Sequence, residues 1–104
     1  VRNNGFKIYC CYDEITLIGV LAFRDLSHIA LLFVNKKYHK RGIAKTLLKL
    51  ATEDILTERP EIKELTVNSS QYAIEVYKRL GFIPTDTLQN RDGITYTPMR
   101  KLLI

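Results

Sequence analysis

Hydrophobic and polar positions alternate along this chain in a way that predicts strands first and helices later. Residues 5–12 are rich in strand formers, and Asp13 with Glu14 makes a polar turn. Residues 15–23 read as a second strand, with Gly19 at a bulge or a point of close approach. A turn at 24–27 leads into 28–34, a continuous apolar run of the kind expected of a strand buried on both faces. Next, Ala44, Leu47, Leu48, Ala51, Ile55 and Leu56 recur at helical spacing. They predict an amphipathic helix of about four turns, ended by Pro60 or just before it. Residues 62–67 form a short strand, and 68–70 a turn and helix cap. Tyr72, Ala73, Val76, Tyr77 and Leu80 line one face of a second helix, with Gly81 as its C-cap. Residues 82–87 and 94–101 read as an antiparallel pair joined across 89–93. The expected order is β-β-β-α-β-α-β-β in a mixed sheet, an α/β fold, with a right-handed crossover placing strands 28–34 and 62–67 parallel.

Composition narrows the class. A chain of 104 residues, 46% hydrophobic and 26% charged, suits one soluble domain with a modest core. No apolar run nears the roughly 20 residues that span a bilayer. The first five residues lack the apolar stretch of a signal peptide, which makes the cytoplasm the expected location. The chain does not begin with Met, which leaves room for residues upstream. Cys10 and Cys11 are adjacent and without a second pair, so they read as small apolar residues in a reducing compartment rather than a zinc site. A net charge of +5 permits an anionic partner, either nucleic acid or a cofactor phosphate. Lys36, Lys37, Lys40, Arg41, Lys45 and Lys49 carry the densest part of it.

That basic cluster surrounds the stretch with the most chemistry. Residues 38–48 join the apolar run to the first helix through a loop holding Gly42 and Ala44. Such a junction can hold phosphate oxygens on backbone N–H groups. A glycine there lets a phosphate approach the backbone, and Lys40, Arg41 and Lys45 add charge beside it. The Gly-x-Gly-x-x-Gly, P-loop, His-Glu-x-x-His and Gly-x-Ser-x-Gly motifs are all absent.

The pattern resembles the GNAT N-acetyltransferase family over almost the whole chain. His39, Lys40, Arg41, Gly42, Ile43 and Ala44 resemble its Gln/Arg-x-x-Gly-x-Gly/Ala signature, with His39 in place of Gln or Arg. Leu32 to Tyr38 resembles its lead-in, with Lys36 where Pro is common. Leu65 to Asn68, then Tyr72 and Ala73, then Tyr77-x-x-Leu80-Gly81-Phe82 are similar to its second signature, and Asp92 to Met99 to its C-terminal strands. The resemblance implies acetyl-CoA as cosubstrate, no metal, and a primary amine of a small molecule or protein as acceptor. It implies no membrane partner and allows a homodimer. The pyrophosphate would lie on His39, Lys40, Arg41, Gly42, Ile43, Ala44 and Lys45, with Arg41 able to serve the ribose phosphate. Backbone groups of Phe33, Val34 and Asn35 would pair with the pantetheine arm in a wedge beside strand 62–67. A backbone N–H near Leu32 would polarise the thioester carbonyl. Tyr72 joins the cofactor set. Asn68 would bind the pantetheine amides or cap the helix after it. Tyr77 would protonate the departing thiolate or serve as an amphipathic core residue. His28 is the expected base, beside Glu14, Asp25 or a water chain.

The family usually opens with a strand and one or two helices ahead of the hairpin, and this chain starts too late to hold them in full. Two other readings stand beside the enzyme. One is a coenzyme-A-binding module without transfer activity. The other is a basic nucleic-acid-binding domain, which the scarcity of aromatics between Lys36 and Lys49 disfavours.

Overall fold

The structure is a computed structural model that describes residues 2–3 and 6–103. Gly5, the expected start of the first strand, lies outside the described residues. Strands and helices follow in the order β-β-β-β-α-β-α-β-β-β, an α/β fold with two short strands more than the sequence pattern predicts. The chain divides into two compact units, Val1–Glu61 and Ile62–Ile104.

The first unit holds β1 (Arg2–Asn3), β2 (Phe6–Asp13), β3 (Thr16–Arg24), β4 (His28–Val34) and the helix α1 (Ile43–Glu58). Each of its strands pairs antiparallel with the next. The β3–β4 turn is tight, with Asp25 at φ 56 and Leu26 at φ 68. One face of the sheet packs on α1. Leu21 and Phe23 of β3 and Leu47, Leu48, Ala51 and Ile55 of α1 are buried there. Gly19 explains how closely they meet: an added Cβ would lie 3.0 Å from both Ile43 Cγ2 and Leu47 Cδ1. The register also shifts beside Gly19, where β2 pairs Cys11 with Gly19 but Tyr12 with Leu17. The far end of α1 is fastened by charge. Lys7 Nζ lies 2.7 Å from Asp54 and 2.6 Å from Glu58, and the Tyr9 hydroxyl donates to Asp54 at 2.7 Å.

The opposite face of this sheet is a correction to the expectation for 28–34. Within β4 only Ile29 is buried, while Leu31 and Phe33 are 51% and 46% exposed. An apolar run reports the hydrophobicity of both faces, not whether anything covers them.

The second unit holds β5 (Glu64–Ser69), α2 (Ile74–Arg79), β6 (Ile83–Pro84), β7 (Gln89–Arg91) and β8 (Ile94–Leu102). All three other strands pair antiparallel with β8. Leu65, Val67 and Ser69 of β5 and Thr97 and Met99 of β8 are buried, at alternate positions. The strand expected at 82–87 is reduced to Ile83–Pro84. Residues 89–91, expected as a connection, are a strand that closes a hairpin through Asp92 at φ 53 and Gly93 at φ 82. Paired positive φ values give the turn the twist a two-residue hairpin needs. Gly81, at φ 100, follows α2, and Lys101 Nζ donates to the Leu80 carbonyl at 2.8 Å, placing a cation at the helix C-terminus. No helix among the described residues is long and apolar enough to cross a membrane.

Candidate active site

The predicted residues fall in both units, and the first unit gathers most of them into one strand–turn–helix. At the end of β4 the chain enters a 3-10 turn, Lys36–Tyr38. Asn35 organises it. Its N–H donates to the Ile18 carbonyl at 2.7 Å, its carbonyl accepts from Tyr38 N at 2.8 Å, and its Oδ1 accepts from Lys37 N at 3.0 Å. With its only backbone donor committed to β3, Asn35 shapes the turn, whereas the resemblance had it lend backbone groups to a ligand. His39 is committed as well: its Nε2–H donates to the Val34 carbonyl at 2.8 Å.

The loop then passes through two left-handed residues, Lys40 at φ 65 and Gly42 at φ 75. For Lys40 this conformation is uncommon; for Gly42 it is the natural one. Gly42 is the N-cap of α1 and, having no side chain, makes no capping hydrogen bond. The first helical bond runs from Thr46 N to the Gly42 carbonyl at 2.9 Å. The N–H groups of Ile43, Ala44 and Lys45 precede it and have no intrahelical acceptor. No acidic side chain stands in this first turn to compete for them. A Cβ built on Gly42 would meet nothing within 4 Å. Lys40, Arg41 and Lys45 are all exposed around that opening. Bare donors, helix dipole, cations and room beside the backbone together fit a phosphate-bearing ligand.

His28 lies at the other end of β4, opposite Arg24, about 20 Å from Val34 by strand rise. The structure does not bring it together with the loop. Partial burial, and then the Arg24 guanidinium, hold its pKa below the usual histidine value, against the opposing pull of Asp25. Its imidazole is neutral at neutral pH, the form that accepts a proton.

In the second unit Asn68 sits on β5 opposite Pro98, exposed, on the face away from buried Val67 and Ser69. It does not cap α2, whose N-cap Ala73 has no side-chain cap; Ser70 Oγ accepts from Ala73 N at 3.3 Å in the turn ahead of the helix. Tyr72, expected on the helix face, precedes the helix in a turn and is 98% exposed. Tyr77 is on α2 and 6% exposed, its ring edge-on to Phe82 at 5.4 Å. Burial pushes its phenol up to about 12. Its hydroxyl has no hydrogen-bond partner among the described residues, yet no buried side-chain oxygen or nitrogen there lacks one. The hydroxyl therefore sits at the surface end of a buried ring. No group of three or more His, Cys, Asp or Glu able to hold a metal occurs among the described residues.

Several solved structures share this fold. A GCN5-related N-acetyltransferase from Rhodopseudomonas palustris aligns with a TM-score of 0.79 at 24% identity, over 95% of this chain and 62% of that one. An aminoglycoside 6'-N-acetyltransferase complexed with coenzyme A gives 0.80 at 15% identity, over 98% and 75%. Tetrahymena GCN5 gives 0.74 at 19% identity, over 96% and 69%. At these identities the likeness is one of fold. This chain spans under two thirds of the Rhodopseudomonas protein. Comparison with curated proteins gave no significant match. The model of the acetyltransferase (GNAT) domain matches residues 1–103, so the chain belongs to the GNAT acetyltransferase family.

Proposed function

We propose that this chain transfers the acetyl group of acetyl-CoA to a primary amine by direct attack. The observation that carries the reading is the uncapped, left-handed start of α1 at Gly42, open and ringed by Lys40, Arg41 and Lys45. His39 to Lys45 would hold the pyrophosphate, and Phe33 and Val34 the pantetheine arm. Asn68 and Tyr72, both exposed, complete the cofactor set. Acetyl-CoA supplies the activated acyl group as a thioester.

In the transfer the amine nitrogen forms a bond to the acyl carbon and the carbon–sulfur bond breaks. The Leu32 backbone N–H is assigned to the carbonyl oxygen as charge develops on it. His28, held neutral and four residues along β4 from Leu32, would take the proton the amine must lose through intervening water. Tyr77 gives its phenolic proton to the departing thiolate. With the phenol at about 12 and a free thiol near about 8.5, that step is uphill by roughly 5 kcal/mol. This fits within the roughly 16 kcal/mol barrier of an enzyme turning over about ten times a second. The raised value also keeps the proton in place at any physiological pH. Free Cys10 and Cys11 suit a reducing cytoplasm.

Titration of the folded chain with acetyl-CoA, followed by turnover across a panel of amines, tests the reading. Absence of binding at high micromolar concentration rejects it. Binding without turnover on any amine selects the second reading, a coenzyme A module lacking transfer activity.

A further inference from the structure

The loop that holds Gly42 is also tied to a residue outside every motif above. Asp13 ends β2, and its Oδ2 accepts a hydrogen bond from the Tyr38 hydroxyl at 2.9 Å, across 25 residues of sequence. Tyr38 closes the 3-10 turn, and the Arg41 guanidinium carbon stands 5.4 Å from the centre of its ring. That distance is within cation–π range. Arg41 is exposed and forms no salt bridge with a carboxylate among the described residues. Its position is therefore set by the ring beneath it, and the ring's position by Asp13.

We propose that Asp13 is a positioning residue for the phosphate loop, acting through Tyr38 to hold Arg41 ready for the ligand's phosphates. The proposal rests on reading that loop as a coenzyme A cradle. A carboxylate near an anion site is in itself unfavourable, because it repels the ligand. Asp13 is favourable only if the order it imposes on Tyr38 and Arg41 outweighs that repulsion. The hydrogen bond also raises the Tyr38 pKa, so the hydroxyl stays a donor.

The two effects have opposite signs, which makes the proposal testable by equilibrium titration of the full chain with coenzyme A. Asp13→Ala removes both the charge and the acceptor; positioning predicts about five- to tenfold weaker binding, the worth of one such hydrogen bond. Asp13→Asn removes the charge but keeps an acceptor, and is expected to bind more tightly than Asp13→Ala. In an Arg41→Gln background Asp13→Ala should cost no further affinity, because the residue through which it acts is gone. Thermal melts of each variant confirm that the protein compared is folded. Overturning results are Asp13→Ala at or above wild-type affinity, equal affinities for the Ala and Asn variants, or full additivity with Arg41→Gln. If the folded wild type fails to bind coenzyme A, the cradle reading itself falls, and the proposal with it. If the wild type binds and any of these overturning results is found, only the role of Asp13 falls.

Discussion

The two helices among the described residues begin in different ways. α1 starts at a left-handed glycine with no capping side chain, no acid in its first turn, and lysine and arginine around it. α2 starts at Ala73 in ordinary helical geometry, likewise without a side-chain cap, but with Glu75 in its first turn and Ser70 Oγ accepting from Ala73 N just ahead of it. Glu75 does for α2 what acidic first turns generally do: it complements the dipole. α1 leaves the same work undone. Both helices follow a strand and a short turn, so the local architecture does not distinguish them. The difference lies in the negative charge, which the chain supplies to the start of α2 and not to the start of α1.

The strongest way to break this contrast is to put the missing charge into α1. Gly42→Glu forces a side chain onto a positive φ, which costs about 1–2 kcal/mol, and sets a carboxylate where phosphate would bind. Coenzyme A affinity should fall by more than about a hundredfold, a loss near 3 kcal/mol; calorimetric titration at near-wild-type affinity would remove the cradle. Tyr77→Phe probes the other unit. Turnover should drop by about a hundredfold, the usual scale for a positioned acid, while coenzyme A affinity stays within about twofold. A variant with unchanged turnover makes Tyr77 a core residue only.

The buried phenol also shapes alkaline stability. Its folded value, about 12, exceeds the unfolded value near about 10. The stabilisation this difference represents is fully present below pH ~10 and is lost as pH rises toward ~12, roughly 2.7 kcal/mol in all. Urea melts of the wild type across that range should show the loss, and Tyr77→Phe should flatten it. The smallest effect is expected just ahead of α2. Ser70→Ala should lower stability by about 0.5–1 kcal/mol and leave coenzyme A binding unchanged. A large loss of affinity in that variant would mean that the α2 start also holds ligand.

Much of the backbone plan is legible in the residues themselves. The run 28–34 is bounded by Ser27 and Asn35, and β4 spans that interval. The periodicity from Ala44 to Leu56 lies within α1. Other features are not legible, for physical reasons. Exposure of Leu31 and Phe33 depends on what stands over the sheet, which a strand's own pattern does not encode. Tyr72 has the right spacing for the α2 face, yet the chain is still turning there, and the helix begins at Ile74. Gln89–Arg91 is polar and lacks strand formers, so its pairing is set by the Asp92–Gly93 turn and by β8. In the candidate site, Gly42 and Ala44 stand out from sequence because small residues at a helix start have a recognisable use. Asp13 does not, because its link to Tyr38 is a tertiary contact between segments that share no motif. The left-handed Lys40 is equally silent, since lysine has no preference for that geometry.

A helix that lacks its own cap is finished by whatever occupies its end. α1 carries Leu47, Leu48, Ala51 and Ile55 into the core of its unit, so an anion seated at Gly42 would brace that core from outside the chain. Occupancy and folding then become one equilibrium. At a hundredfold excess over Kd the folded state gains about 2.7 kcal/mol, and the amide protons of Ile43, Ala44 and Lys45 should exchange more slowly with solvent. The protein's melting temperature becomes a gauge of its ligand supply.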